Sequence, residues 1–318
     1  METHIVFGGS GFIGTHLIRR LVKGGVKVIS VDRKPPREKL AGVDYRLADV
    51  RDLSDLDIDA GVTRIYNFAA VHTTPGHPTH EYYETNILGA TEITAFARRF
   101  DIREIVFTSS ISVYGPSEET KQEDTPPAPE SAYGWSKFMA ERIHRAWFDE
   151  NENRRLIICR PAVVFGHGEG GNFTRMAKLL GKGFFVYPGR KDTIKACFYV
   201  GDLLDALDFS VQQTERFILF NGCYPDRYTL EQIVEAFRNE YFRMARTFLV
   251  PRFVVTTAAT LLKPFSALGL GIHPDRVTKL VRSTDVVPGW LERKTYAKSG
   301  MLPSAFQRWS ADSSGRFD

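Results

Sequence analysis

The sequence predicts an α/β protein: a doubly wound parallel sheet followed by a smaller C-terminal region. Three observations carry this reading. Strand-like and helix-like stretches alternate through the first half of the 318 residues. The first strand and helix are joined by a glycine-rich turn, Phe7-Gly8-Gly9-Ser10-Gly11-Phe12-Ile13-Gly14. The second strand ends on an acid, Asp32. With 43% apolar and 25% charged residues, the composition is that of an ordinary soluble globular chain. The formal net charge of +4 is small for this length; it permits an anionic substrate and does not argue for nucleic acid.

The elements follow in order. His4 to Phe7 is a short β-type run. After the glycines, Ile13, Leu17, Ile18, Leu21 and Val22 recur at helical spacing, and Gly24-Gly25 closes the helix. Val26 to Val31 is the second strand. Glycine tolerates positive φ and lets backbone approach a ligand closely. The helix behind the turn aims free N–H groups and its positive dipole end at the same spot. A pyrophosphate fits there, and Asp32 stands where an acid can hold an adenosine ribose. Asp32 would repel a 2′-phosphate, so NAD is favoured over NADP, although Arg33 and Lys34 weaken that preference. The expected cofactor contacts here are Gly8, Gly11, Phe12, Ile13, Gly14, Asp32 and Arg33. The competing reading is a glycine turn needed only for helix–sheet packing. Further strands are expected at 43–47, 63–68, 103–108 and 155–160, and helices at 52–60, 80–100 and 133–150. In such sheets ligands bind beyond the carboxyl ends of the strands.

Strand 103–108 runs into Ser109, Ser110, Ile111, Ser112, Val113, Tyr114 and Gly115, a row of hydroxyls at a strand's carboxyl end. Further on, Tyr133 and Lys137 stand four apart, which places both on one helix face. Pro126, Pro127 and Pro129 precede them, so the helix begins close to Tyr133. A free tyrosine, with a pKa of about 10, is a poor base at neutral pH. A neighbouring ammonium favours the phenolate, and a bound oxidised nicotinamide adds positive charge. Tyr133 is then able to take a proton from an alcohol while hydride leaves the same carbon. Lys137 would also hold the ribose of the nicotinamide half, and Ser110 would orient the reacting oxygen. Alone, the tyrosine–lysine spacing also fits one buried tyrosine and one solvated lysine. Behind a phosphate loop and a hydroxyl-rich strand end, it reads as a catalytic set.

These motifs resemble those of the extended short-chain dehydrogenases/reductases of the NAD-dependent nucleotide-sugar epimerase/dehydratase kind, and the likeness covers most of the chain. The resemblance implies a Rossmann sheet with NAD held also by Asp49 and Val50 at the adenine, by Phe68, Ala69 and Ala70 at the strand end beneath it, and by Pro161. Ser110, Tyr133 and Lys137 match the family's catalytic positions. Arg160-Pro161 to Gly166 resembles the strand that crosses towards a substrate domain. Gly171-Asn172-Phe173 resembles the segment whose asparagine meets the substrate diphosphate, and Phe198 to Leu203 resembles the returning helix start. The implied division is a NAD-binding domain at 1–165 and a mainly substrate-binding domain at 166–318, with about 195–222 returning to the sheet. Two departures stand out. Lys195 replaces an arginine that contacts phosphate, keeping charge but losing the two-pronged geometry. Gly8 replaces the usual threonine. The C-terminal stretch is similar to bacterial 4-epimerases of surface-polysaccharide synthesis, acting on UDP-sugars or on N-acetylglucosamine carried by undecaprenyl diphosphate.

Neighbouring residues narrow the reaction. A 4,6-dehydratase carries an acid pair beside the hydroxyl, where this chain has Ile111 and Ser112. A 3,5-epimerase–reductase needs a cysteine or similar acid, and positions 109–112 hold none. A C4 epimerase needs only Ser110, Tyr133, Lys137 and held NAD, and works through a 4-keto intermediate. A NAD(P)H-dependent 4-ketoreductase of a 4-keto-6-deoxy sugar uses the same residues and stays as the alternative. Ser112, Asn172, Lys195 and Arg276 are the expected substrate contacts, with Lys279 and Arg282 further basic positions.

Other features bear on location and partners. The start reads as a strand rather than a signal peptide. Cys159, Cys197 and Cys223 have no metal-type spacing and read as buried, reduced thiols of a cytoplasmic protein. His72, His77 and His80 lie in a proline-containing loop without helical zinc spacing, so no metal is expected; they read first as plain loop residues, with substrate or cofactor contact by His72 as the alternative. Residues 246–272 are strongly apolar but interrupted by Pro251, Arg252, Lys263 and Pro264. They read as core helices of the C-terminal region or, alternatively, as a face meeting a membrane surface or lipid-linked substrate at the inner membrane. The resemblance also implies a homodimer packed through helices 80–100 and 133–150.

Overall fold

A computed structural model describes residues 2–59, 61–73, 76–251 and 282–318. The chain divides into two units. The first contains residues up to Gly115, Pro126–Pro161 and Val200–Gly222; the second contains Pro116–Thr125, Ala162–Tyr199 and Cys223–Asp318.

The first unit is built on a seven-stranded sheet. Its strands are β1 (Thr3–Phe7), β2 (Lys27–Asp32), β3 (Val43–Leu47), β4 (Val62–Asn67), β5 (Glu104–Thr108), β7 (Arg155–Pro161) and β11 (Phe217–Gly222). They run parallel in the order β11-β7-β5-β4-β1-β2-β3. The order reverses between β1 and β4, which makes the carboxyl ends of those strands the binding crevice. Central β1 is buried almost throughout, as helices on both faces require. Edge β3, with Asp44 and Arg46, is half exposed, and its charges discourage further strand pairing. Helix α1 (Phe12–Lys23) buries Gly14, Leu17, Ile18 and Leu21, and ends at Gly24.

The helical run expected over 80–100 is broken in character: α2 (Thr79–Tyr83), a π turn (Glu84–Leu88) and α3 (Gly89–Arg99). Helix α4 (Ala132–Asp149) opens where Ser131 accepts a hydrogen bond from the Gly134 amide at 3.0 Å. After it, α6 (Val200–Val211) leads into β11.

The helix expected at 52–60 does not form over the described residues 52–59. Short polar side chains take the local backbone amides instead: Asp52 accepts from Ser54 and Asp57 from Ile58. The Arg99 guanidinium then gathers the carbonyls of Leu53, Ser54 and Leu56. Tertiary hydrogen bonds thus replace the helical ladder.

In the second unit the short parallel pairs are β6 (Ser117–Lys121) with β13 (Thr284–Val286), β8 (Val163–Phe165) with β10 (Cys197–Tyr199), and β9 (Phe184–Gly189) with β12 (Arg246–Pro251). Helices α5 (Asn172–Gly181), α7 (Leu230–Tyr241), α8 (Gly289–Arg293) and α9 (Leu302–Asp312) complete its described elements. Its core is aromatic: Phe237 stacks on Phe306 at 3.8 Å and Phe165 on Phe173 at 4.4 Å. Residues 246–251, expected in a helix, form strand β12, where Phe, Leu and Val suit a ladder and Pro251 closes it. Residues 252–272 of that apolar run lie outside the described residues. All three cysteines are buried and free.

Arg99→Ala would leave three carbonyls of the 53–56 segment without their donor. A loss of about 1–3 kcal/mol in unfolding free energy is expected, read from the chemical denaturation midpoint. An unchanged midpoint would show that the segment holds without the guanidinium.

Candidate active site

The glycine turn is shaped by steric necessity. Gly8 has φ of +82°, and a Cβ there would stand 2.6 Å from the backbone of Phe68 and Ala69. The ends of β1 and β4 therefore touch, and the Phe68 amide donates to the Phe7 carbonyl at 2.9 Å. A Cβ on Gly14 would lie 2.2 Å from the Gly8 carbonyl oxygen, so this glycine serves packing. Gly11 caps α1 with no side-chain acceptor, which leaves the helix start at Phe12 and Ile13 open to an anion. The Asp32 carboxylate accepts from the amides of Ser10 at 3.1 Å and Lys34 at 3.0 Å. It is thereby fixed beside the turn, with exposed Arg33 next to it. An uncapped helix start, a floor without side chains and an oriented acid fit the pyrophosphate and ribose of a dinucleotide.

The neighbouring positions are more constrained. Asp49 is held by Arg51 in a forked pair, with Nη2 to Oδ2 at 2.7 Å, and its carboxyl lies below the usual range because of that bond. Val50 packs against Gly89, whose Cβ would meet it at 3.0 Å. Phe68, Ala69 and Ala70 are half-buried at the end of β4. Pro161 ends β7 and is buried. His72 is exposed in the loop after β4, and His77 bonds Glu81 at 2.7 Å.

Ser110 ends the extended chain after β5 and caps a 3-10 turn, Ile111–Tyr114. Its Oγ accepts from the Ser112 amide and lies 3.1 Å from the Ser112 hydroxyl. A Cβ on Gly134 would sit 2.5 Å from the Ser112 carbonyl oxygen. That missing side chain brings the start of α4 against the turn, and Tyr133 onto Ser110. Burial pushes the Tyr133 phenol up to about 12, with Tyr82 adding to the rise and the hydrogen bond to Ser110 opposing it. Desolvation, and not the Lys137 charge, is the leading cause of this shift. Lys137 is itself 2% exposed. Burial pushes its ammonium down to about 7, against the pull of Glu141. Its Nζ lies 4.4 Å from the Phe107 ring centroid, a cation–π contact.

Sequence reasoning missed the supports. The buried face of α4 carries Ser136, Lys137, Glu141 and His144 where an apolar stripe is the usual pattern. Glu141 receives Arg160 in a fork of 2.7 and 2.9 Å; Arg160 also donates to the Tyr114 hydroxyl, which donates to Asn221. His144 stacks on Phe107 at 4.2 Å and bonds Asn67 at 3.2 Å; burial lowers its pKa to about 4, so it is neutral. Asn86, in the π turn, bonds both backbone groups of Val71 and the Ser136 hydroxyl. It ties the loop after β4 to the helix that holds the tyrosine and lysine. A π turn at such a point is a common mark of function.

Two expected substrate contacts belong to the second unit. Asn172 is exposed at the first turn of α5, where Glu169 accepts from the Thr174 amide. Lys195 donates to the Arg282 carbonyl at 2.6 Å, and burial lowers its pKa to about 8. Arg276 and Lys279 lie outside the described residues. Among the described residues no group of three metal-type ligands converges.

A doubly wound sheet with this turn and a Ser–Tyr–Lys set defines a dinucleotide-dependent enzyme class. The chain belongs to the NAD dependent epimerase/dehydratase family, whose model matches residues 4–221. NAD is that family's cofactor. The chain is 30% identical over 210 residues to an N-acetyl-alpha-D-glucosaminyl-diphospho-ditrans,octacis-undecaprenol 4-epimerase of Escherichia coli O157:H7, covering 65% of this chain and 62% of that one. It is 30% identical over 177 residues to a UDP-glucose 4-epimerase of Lactobacillus helveticus, covering 53% of each. The chain thus matches less than two thirds of the length of these relatives. Its fold is that of a solved UDP-galactose 4-epimerase, with a TM-score of 0.71 at 19% identity over 98% of both chains. It is also that of the human epimerase family protein SDR39U1 with NADPH, with a TM-score of 0.78 at 19% identity over 98% of this chain and 99% of that one.

Lys137 carries a testable linkage. Its folded pKa lies below its unfolded value, so the unfolded chain binds more protons between about pH 7 and 10.5. Stability contributed by this site therefore rises with pH across that window. Lys137→Met should gain about 1–2 kcal/mol at pH 7 and lose the rise, in denaturation series at several pH values. An unchanged slope would mean that the ammonium is not desolvated.

Proposed function

We propose that this protein catalyses NAD-dependent C4 epimerisation of a diphosphate-linked hexose or N-acetylhexosamine. The observation that carries the reading is the start of α4 pressed against the Ser110 turn, with Tyr133 four residues before desolvated Lys137 on that helix and no carboxyl or thiol in the turn Ile111–Tyr114. A dehydratase needs such a group to remove water; the buried carboxylate of Glu141 is already paired with Arg160. Ser110 orients the C4 oxygen, and Tyr133 takes its proton and later returns it. Bound NAD supplies the acceptor and donor of hydride and a positive charge beside the phenol. Lys137 holds a ribose and keeps the phenolate favourable. Gly8, Gly11, Phe12, Ile13, Gly14, Asp32, Arg33, Asp49, Val50, Phe68, Ala69, Ala70 and Pro161 are proposed to hold the dinucleotide.

On the substrate side we assign Ser112 to the sugar and Asn172 to the diphosphate. Lys195 joins Asn172 if it releases the Arg282 carbonyl, and Arg276 is proposed from the sequence alone. A UDP-sugar or a lipid-diphosphate sugar fits this chemistry, and a role in surface-polysaccharide synthesis on the cytoplasmic side of the membrane accords with both. A homodimer is supported by exposed Tyr83, Leu88, Trp135 and Met139 on the helical run 79–99 and on α4.

The test is proton NMR with UDP-N-acetylglucosamine and catalytic NAD. A growing signal of the axial C4 epimer is expected, and Tyr133→Phe should slow it by about 10²–10⁴-fold. The lipid-diphosphate sugar is the second substrate to try. No epimer from either, together with turnover of a 4-keto sugar by stoichiometric reduced cofactor, would replace the epimerase reading with a ketoreductase.

A further inference from the structure

We infer that the outer face of the β9–β12 pair, in the second unit, docks on an anionic lipid surface. Strand β9 alternates cleanly: Phe184 and Val186 are 40% and 37% exposed, while Phe185 and Tyr187 are buried. In the parallel register β12 sets Arg246 beside Phe184 and Phe248 beside Val186, on the same outward side. Phe248 is 51% exposed and Met244, just ahead of β12, is 91% exposed; Leu249, also 51% exposed, stands beside Tyr187 on the other side of the pair. Five of the ten exposed large apolar side chains among the described residues therefore fall within these two short segments.

Cations outnumber acids around them, with Asp192 and Glu240 just outside the two segments. Residues 172–191 contain Arg175, Lys178, Lys182, Arg190 and Lys191 and no acid; residues 241–251 contain Arg243 and Arg246 and no acid. Arg190 and Lys191 are paired with Asp192, Glu118 and Glu231. Arg175, Lys178, Lys182, Arg243 and Arg246 enter no ion pair with the described residues. Exposed aromatic and aliphatic groups interleaved with unpaired cations are the composition of an interfacial membrane contact: the apolar groups enter the acyl boundary and the cations meet the anionic headgroups. A second copy meeting this face through a two-fold axis would bring like charges together. A nucleic acid would leave Val186 and Met244 in water. No helix among the described residues is long and apolar enough to cross a membrane. The contact stands on the second unit alone and does not depend on the reaction proposed above.

Flotation of the full chain with phosphatidylglycerol–phosphatidylethanolamine vesicles, against phosphatidylcholine vesicles, tests this. Binding to the anionic vesicles should exceed binding to phosphatidylcholine by about tenfold and weaken with salt. Phe184→Ser with Phe248→Ser should lower partitioning about tenfold. Lys182→Glu with Arg246→Glu should lower it as much and remove the salt dependence. Leu47→Ser, which removes an exposed apolar side chain of the first unit, should bind like the wild type. Circular dichroism checks folding; if the apolar double variant misfolds, the charge-reversal variant, which alters only exposed polar groups, decides. The inference fails if the wild type does not float with anionic vesicles. It also fails if the patch variants bind unchanged, if the Leu47 variant loses binding, or if the patch variants change only the oligomeric state.

Discussion

The first unit is organised around one costly arrangement: an ammonium, Lys137, held on a helix face with almost no water. Desolvation of a charge in a protein interior amounts to several kcal/mol after relaxation. The structure answers it with what an interior offers, the face of Phe107 and the field of Glu141 one helical turn on. Glu141 is itself buried and needs a partner, which Arg160 supplies from β7. Arg160 in turn donates to Tyr114, and Tyr114 to Asn221 on β11. One buried lysine thus draws α4, β5, β7, β11 and the 3-10 turn into a single polar network. Such a network is stable only when each member is satisfied, so its residues are fixed together.

The same logic fixes the approach of the elements. Tyr133 meets Ser110 because Gly134 removes the one side chain that would hold α4 away from Ser112. The loop after β4 is held because Asn86 satisfies both backbone groups of Val71 and also reaches Ser136, beside Lys137. The glycine turn presses on that loop because Gly8 lacks a Cβ. Two close backbone approaches and the Asn86 side chain connect the candidate cofactor cradle to the candidate catalytic helix. Small shifts in any of these three joints would misplace the hydroxyls by the ångström that proton transfer does not tolerate.

Much of this was legible in the sequence, and for identifiable reasons. Strand–helix alternation, the glycine turn and the tyrosine–lysine face follow from periodicity and residue spacing, which are local properties. The 52–59 segment was misread because its carbonyls are claimed by Arg99, more than forty residues away in the chain. Residues 246–251 were misread because an apolar run carries no period that separates a strand from a buried helix. Glu141 and Asn86 looked like ordinary polar residues of solvated helices. Their roles depend on burial and on partners distant in sequence. The direction of the Tyr133 shift was missed for the same reason: a neighbouring charge is visible in a sequence, whereas desolvation is not.

The division between chemistry and specificity follows from these constraints. The family match ends at residue 221, the penultimate residue of β11, the last strand of the large sheet. Within that span, positions are bound to the sheet and to one another, and their residue types are readable by rule. The second unit is held by a different principle, aromatic packing around Phe165, Phe237, Phe306 and Trp309, which many sequences can satisfy. Its short parallel pairs leave faces free to differ without disturbing the sheet that carries the reaction. Substitution there costs the fold little, whereas removing Glu141 or Arg160 alone leaves its partner as an uncompensated buried charge. The family match therefore falls on the unit whose residues are bound to one another, and the unit outside it is held by packing that tolerates wider variation.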